Sequence, residues 1–134
     1  MKVPTNIVVA QAGTVFQLEY DDQEMYSLSA EFLRVYSPSA EVQGHRPDEA
    51  VLQVGKKNVA IQAVEPVGLY AIKIVFSDGH DSGLYAWDYL YKLATEQKML
   101  WDRYLDQLQK VGASREPDDP NNLPFIPKKK SCGH

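Results

Sequence analysis

The stretch FSDGHDSGLYAWDYL, Phe76 to Leu90, sets a histidine among acids and hydroxyls: Asp78, His80, Asp81 and Ser82. Neutral imidazole is a frequent metal ligand, and adjacent carboxylates orient it or add oxygen donors. His80 beside Asp78 also has the residue types of a general acid–base pair. The plainer alternative, favoured by spacing alone, is an exposed histidine just past a tight Asp-Gly turn. A second group, EVQGHRPDE, holds His45 with Glu41, Asp48 and Glu49. Imidazole with carboxylates suits iron or another divalent ion, although a charged, solvated loop has the same composition. At the end of the chain, Cys132 and His134 are too few and too loosely tethered to make a site.

Other chemistries are excluded by what is missing. There is no P-loop and no G-x-G-x-x-G fingerprint, and no G-x-S-x-G nucleophile elbow. The single cysteine rules out an internal disulfide, and its place in the tail argues against a buried Cys–His nucleophile. A net charge of −4 gives no basic face for nucleic acid. No run approaches the roughly 18 apolar residues of a membrane span, and the N-terminus has no signal-peptide pattern. A soluble cytoplasmic protein is expected. With 134 residues, one domain is expected, large enough to bury a core.

The elements that must position these residues follow from periodicity. Residues 5–10 form a β-rich run, and residues 14–20 (TVFQLEY) alternate with period 2, as a half-buried strand does. Asp21-Asp22 is a turn, and MYSLS returns. Ala30 to Tyr36 is a short helix stopped by Ser37-Pro38. Residues 37–50 are a loop. VLQVG and NVAIQAVEPVG are expected strands, with Pro66 ending or edging the second. LYAIKIVF alternates again, and Asp78-Gly79 signals a hairpin, expected as a type I′ turn with positive φ at both central residues. DSGLY returns. From Ala86 the period becomes helical. Thr95 is placed to cap a long helix over residues 96–111, with Trp101, Tyr104, Leu105 and Leu108 on its core stripe and Gly112 as its stop. Aromatics Tyr85, Trp87, Tyr89, Tyr91, Trp101 and Tyr104 are expected in the core, with any exposed member available as a docking patch. Residues 1–112 form the expected domain, and residues 113–134, with four of eight prolines, an extended and weakly packed tail.

FQLEYDDQEMYSLSAEFLR and IKIVFSDGHDSGLYAWDYLY share one plan: strand, acidic turn, return strand, aromatic helix. The offset is 56 in the strands (Leu18 with Ile74, Tyr20 with Phe76, Asp22 with Asp78) and 57 in the helices (Glu31-Phe32-Leu33 with Asp88-Tyr89-Leu90). Two such units predict an α+β fold: one small antiparallel sheet with short helices, and a long C-terminal helix packed on one face.

LRVYSPSAE, EPVGLYAIKIVFSDGHDSGLYAWDYL and LWDRYLDQL, in this order, resemble the gamma-butyrobetaine hydroxylase-like N-terminal domain family over most of residues 5–115. The resemblance implies an α+β domain. In the carnitine-pathway hydroxylases the equivalent domain precedes the oxygenase domain and holds zinc through a Cys-Pro-Cys-x-x-Cys loop and a histidine after the hairpin turn. The histidine matches His80, and the loop matches residues 37–42, where the cysteine positions are Ser37, Ser39 and Val42. Serine is not deprotonated at neutral pH to replace a thiolate, so zinc of the hydroxylase type is not expected. If the loop still folds against the hairpin, Glu41 or His45 approaches His80, making a site suited to iron, with Asp78 and Asp81 as carboxylate neighbours. Similar domains are attached to plastid iron–sulfur carriers of the Mrp type, which implies an accessory role. The leading expectation is a non-catalytic domain that binds a protein partner and a metal ion, iron before zinc. The alternatives are an interaction module without metal and a small enzyme using His80 and Asp78.

Overall fold

A computed structural model of the protein describes residues 2–44 and 50–126. Two units with the same order of elements follow one another. The first comprises β1 (Asn6–Ala10), β2 (Val15–Glu19), β3 (Met25–Ser29) and α1 (Ala30–Val35); a four-residue helix α2 (Ala40–Gln43) leads away from it. The second comprises β4 (Ile61–Val67), β5 (Ala71–Phe76), β6 (Leu84–Ala86) and α3 (Trp87–Thr95), and the long helix α4 (Gln97–Val111) follows. The α+β class is as expected. The single sheet is corrected: the strands form two antiparallel three-stranded sheets, ordered β1-β2-β3 and β4-β5-β6. Each unit closes its own hydrogen-bonded meander before the chain leaves through a helix.

Alternation dictates the faces. In the first sheet Phe16 lies opposite Val9 and Leu28, and Leu18 opposite Ile7 and Tyr26. In the second, Ile74 lies opposite Val64, and Ile72 opposite Pro66 and Tyr85. These inward rows share one core with Phe32 and Leu33 of α1, Leu90 and Leu93 of α3, and Leu100 of α4. Phe16, Leu18, Leu33, Ile74, Tyr85 and Leu90 are fully buried. At about 1.5–3 kcal/mol for each such side chain, this apolar layer outweighs any single polar contact. Pro66 sits on the edge strand β4, where its missing N–H costs no ladder bond.

The repeat seen in the sequence is a structural one. The Ala30 N–H donates to the Thr14 carbonyl in unit one, and the Trp87 N–H donates to the Tyr70 carbonyl in unit two. Tyr20 and Phe76 each donate an N–H across a three-residue connection, to the carbonyls of Glu24 and His80. The third connecting residue is left-handed in both, Gln23 at φ 68° and Gly79 at φ 88°. The second connection is therefore the three-residue hairpin that ends in a left-handed residue. It is not a type I′ turn, because Asp78 does not have positive φ.

Other expectations shift. VLQVG is not a strand: its residues run irregularly along α4, burying Gln53 and Val54. Thr95 does not cap α4; its hydroxyl turns back to the carbonyls of Tyr91 and Lys92, inside α3. Gly112 ends α4 in the left-handed region at φ 73°, as expected. Residues 113–126 are tied to the domain by hydrogen bonds, while most of their side chains stay exposed. The N–H groups of Gly55 and Lys57 donate to the carbonyls of Ser114 and Arg115. Arg115 grips the buried Glu31 through two hydrogen bonds of 2.7 Å, and a 3-10 helix over Pro120–Phe125 buries Asn122. Of the prolines that suggested a loose tail, Pro120 opens this 3-10 helix and Pro124 lies within it.

Candidate functional site

The sequence placed His80 on an exposed turn; the structure buries it, 6% exposed. The hairpin connection delivers His80 beneath the loop that follows α1. There Nε2 lies 2.8 Å from the Ser37 hydroxyl and 3.4 Å from the Ser39 hydroxyl. Ser37 is fully buried and Ser39 nearly so. The Ser39 N–H also donates to the Ser37 oxygen. Gly83 permits this close approach, since a Cβ there would stand 2.4 Å from the Ser37 oxygen.

On the other side of the ring, Nδ1 faces a carboxylate oxygen of Glu41 at 3.5 Å. The partners assign the tautomer: the proton sits on Nδ1, towards the carboxylate, and Nε2 accepts from the Ser37 hydroxyl. Burial, then the positive charge of Arg34, pushes the imidazole below its usual 6.5, against the opposing pull of Glu41 and Asp78. His80 is therefore neutral at pH 7.

Asp78 faces elsewhere. It accepts from Arg34 Nε at 2.8 Å and from Lys56 Nζ at 2.9 Å. Burial opposes its ionisation, but the Lys56 hydrogen bond and the Arg34 charge prevail and hold its carboxyl below the usual range. It reaches His80 only through the backbone N–H, at 3.2 Å. Asp78 and the imidazole are not arranged as an acid–base dyad. Asp81 is exposed. His45 lies outside the described residues, as do Cys132 and His134. Of the five expected ligands, the structure brings His80 and Glu41 together.

The donor set does not fit zinc. Two neutral hydroxyls and one imidazole occupy the Nε2 side, and Glu41 approaches the opposite nitrogen, so the four do not converge on one point. Among the described residues, no three His, Cys, Asp or Glu side chains are close enough to hold a metal ion. The order hydroxyl, imidazole, carboxylate in Ser37, His80 and Glu41 is that of a nucleophilic triad. Burial decides against that role, because the fully buried Ser37 is out of reach of any acyl group. What the cluster does is tie the β5–β6 connection to the segment after α1. Ser37 and Ser39 as hydrogen-bond partners were missed from the sequence as positive contributors; the only signal was their place at the family's cysteine positions.

The aromatic side chains are anchors. The hydroxyls of Tyr36, Tyr85, Tyr89 and Tyr104 each donate to a main-chain carbonyl, of Leu100, Leu33, Tyr36 and Gln53 respectively. A groove of about 460 Å³ between α2, residues 50–53 and α4 is lined by Tyr36, Gln53, Arg103, Tyr104 and Lys110, and its described lining includes none of His80, Glu41, Asp78 and Asp81.

A model of the family described as gamma-butyrobetaine hydroxylase-like, N-terminal, matches residues 7–91, from β1 into α3. The chain belongs to this family. The gamma-butyrobetaine hydroxylase-like match thus spans both repeats and includes Ser37, Ser39, Glu41 and His80. Two NMR solution structures resemble the chain: one is 53% identical, with a TM-score of 0.77, covering 89% of this chain and 94% of the other. The second is 48% identical, with a TM-score of 0.74 and 87% of both chains covered. A crystal structure of a protein of unknown function from Acidithiobacillus ferrooxidans, assigned to the DUF971 family, is 33% identical, with a TM-score of 0.56, covering 68% of this chain and 91% of that one. No curated protein matches the chain. No helix among the described residues is long and apolar enough to cross a membrane.

Proposed function

We propose that this gamma-butyrobetaine hydroxylase-like domain is a non-catalytic accessory module that docks a protein partner through its second sheet and the β4–β5 hairpin. The observation that carries this reading is the exposure of large apolar side chains there. Leu69 is 80% exposed and Tyr70 63%, at the tip of the hairpin, with Val67 and Leu84 also exposed. On the outward face of the same sheet Val67 lies opposite Ala71, and Lys73 opposite Glu65 and Leu84. Small and apolar residues there surround one Glu65–Lys73 ion pair at 3.2 Å. Such surface, rimmed by polar groups, is what protein contacts use.

Replacing Leu69 with aspartate and Tyr70 with serine removes the tip without touching the core. The double variant is expected to keep its thermal midpoint and lose the partner that the unmodified domain captures from its own cell extract. A Lys98→Ala variant on α4 is expected to keep it. Equal capture by all three proteins would remove the docking reading.

A second reading is favoured by the approach of Glu41 to Nδ1. In the other tautomer, with Nε2–H donating to the Ser37 oxygen and the lone pair on Nδ1, the imidazole and Glu41, with His45 as a further donor, would hold a divalent ion of the iron type, in line with an accessory role in iron handling. It predicts sub-stoichiometric to equimolar metal in protein purified without a polyhistidine tag, and loss of that metal in Glu41→Gln. Protein that stays metal-free after incubation with ferrous iron under anaerobic conditions would end this reading and leave docking intact.

A further inference from the structure

The turn of the first unit carries its own polar cluster, at the positions equivalent to Asp78 and His80. Tyr20, Tyr26 and Tyr91 stand with their rings nearly perpendicular to one another: 74° between Tyr20 and Tyr26, 82° between Tyr20 and Tyr91, and 88° between Tyr26 and Tyr91. The centroids are 5.3–6.2 Å apart. Three such walls form the corner of a box. Glu24 sits at its edge and accepts from the hydroxyls of both Tyr26 and Tyr91. The ammonium of Lys2 occupies the corner, 5.8 Å from the centre of the Tyr20 ring and 5.6 Å from that of Tyr91. It pairs with Asp22 and lies 4.0 Å from Glu24. Ring faces and carboxylates together are how proteins recognise ammonium ions.

One atom in this cluster is unsatisfied. Tyr20 is 3% exposed, and its hydroxyl has no hydrogen-bond partner, the only such buried side-chain atom among the described residues. Burial, then the neighbouring Tyr91 and Glu24, pushes its phenol up to about 12, so it stays protonated and neutral. Leaving a buried hydroxyl unpaired costs about 1–3 kcal/mol. Lys2 makes no hydrogen bond to this oxygen, which leaves it as an open acceptor for a donor that reaches it. The Lys2 side chain is partly exposed, and Thr5 is the nearest following residue with a described backbone bond to the sheet, to Glu19. The occupant is thus held by surface contacts that can be exchanged.

We propose that Tyr20, Tyr26 and Tyr91, with Asp22 and Glu24, form a recognition cage for a primary alkylammonium group, and that Lys2 fills the cage as an internal competitor. The free Tyr20 oxygen selects an ammonium that still has N–H bonds over a quaternary one. The cage is separate from the docking face and from the His80 cluster.

The test is a titration of the folded domain with n-butylammonium, followed by NMR at the tyrosine rings, in the unmodified protein and in Lys2→Met. In Lys2→Met, saturable shifts are expected at Tyr20, Tyr26 and Tyr91. In the unmodified protein binding is expected to be weaker by about tenfold, because Lys2 occupies the competent state. Tetramethylammonium is expected to bind more weakly than butylammonium. Adding Glu24→Gln, or Tyr91→Phe if that variant fails to fold, is expected to abolish the shifts. A lysine-containing peptide that displaces butylammonium would place the ligand on a protein; failure to displace it would leave a free amine as the ligand. No saturable shift at these rings in folded Lys2→Met, or equal affinity with and without Lys2, would overturn the proposal.

Discussion

His80→Ala is expected to lower the stability of the domain by about 2–4 kcal/mol, since it leaves the buried Ser37 hydroxyl without its acceptor and opens a cavity beside Phe76. The ring now accepts from Ser37 and lies against the Phe76 ring, with centroids 6.1 Å apart. Urea denaturation at pH 7.5 measures the loss, and a change below about 0.5 kcal/mol would show that the cluster carries no structural load. Ser37→Ala should cost less, because it removes one partner and keeps the ring. The double variant should be less damaging than the sum of the two, as expected for residues in one contact.

The same residue fixes a pH dependence. The folded-state pKa of His80 is depressed from 6.5 by burial and by Arg34, so below 6.5 the unfolded chain binds a proton that the folded chain refuses. Stability is then lost as pH falls. The stabilising share of His80 is complete above about 6.5 and declines from there towards the lower folded-state value. Asp78 adds a separate loss at lower pH, below its ordinary 3.8, as protonation releases Lys56 and Arg34. The urea midpoint of the unmodified protein is expected to fall between pH 6.5 and 5 more steeply than that of His80→Ala. Parallel curves would mean that His80 is not held neutral by the fold.

Much of this architecture was legible before folding. Alternation in residues 14–20 and 69–76 named the inward rows, and Phe16, Leu18, Ile72, Ile74 and Phe76 are buried accordingly. The echo at offset 56 named the two units, down to Asp22 and Asp78, whose carboxylates each accept the N–H two residues on. The offset of 57 in the helices has a further consequence in three dimensions. Arg34 of α1 and Tyr91 of α3 are equivalent positions, and each reaches the turn of the other unit, Arg34 to Asp78 and Tyr91 to Glu24.

What stayed hidden depends on distance along the chain. Nothing near His80 reveals that residues 37–39, more than forty positions earlier, lie over it, so an Asp-Gly turn suggested exposure. VLQVG carries a strand's composition, but its neighbours are α4 and residues 114–115, and among the described residues no strand lies beside it to complete a ladder. The anchoring of residues 113–126 was hidden by proline content, because the anchoring charge, Glu31, belongs to α1. Local pattern reports what a segment is, and burial of a polar group reports where it goes.

Replacing Ser37, Ser39 and Val42 together with cysteine is expected to turn the hydrogen-bonded cluster into a zinc site. The Ser37 and Ser39 oxygens already stand 2.8 and 3.4 Å from Nε2, and Val42 is buried on α2 just beyond them. Thiolates would supply the charge that two hydroxyls lack, and the closed surroundings would favour four-coordinate binding without water. Glu41 on Nδ1 would then hold the imidazole for the metal, the usual carboxylate–histidine–zinc arrangement. The triple variant should bind one equivalent of zinc with Zn–S distances near 2.3 Å, read by X-ray absorption. With zinc about a thousandfold above its dissociation constant, it should gain about 4 kcal/mol of stability. The unmodified domain should gain nothing at the same zinc concentration. If zinc binds the triple variant equally well when His80 is also replaced by alanine, the imidazole is not a ligand, and the serines do not stand where thiolates could close a tetrahedron around it. If it binds only with His80 present, the Ser37 and Ser39 hydrogen bonds occupy in this chain the place where thiolates and a zinc ion would sit, and the lack of thiolates at positions 37, 39 and 42 is what withholds zinc there.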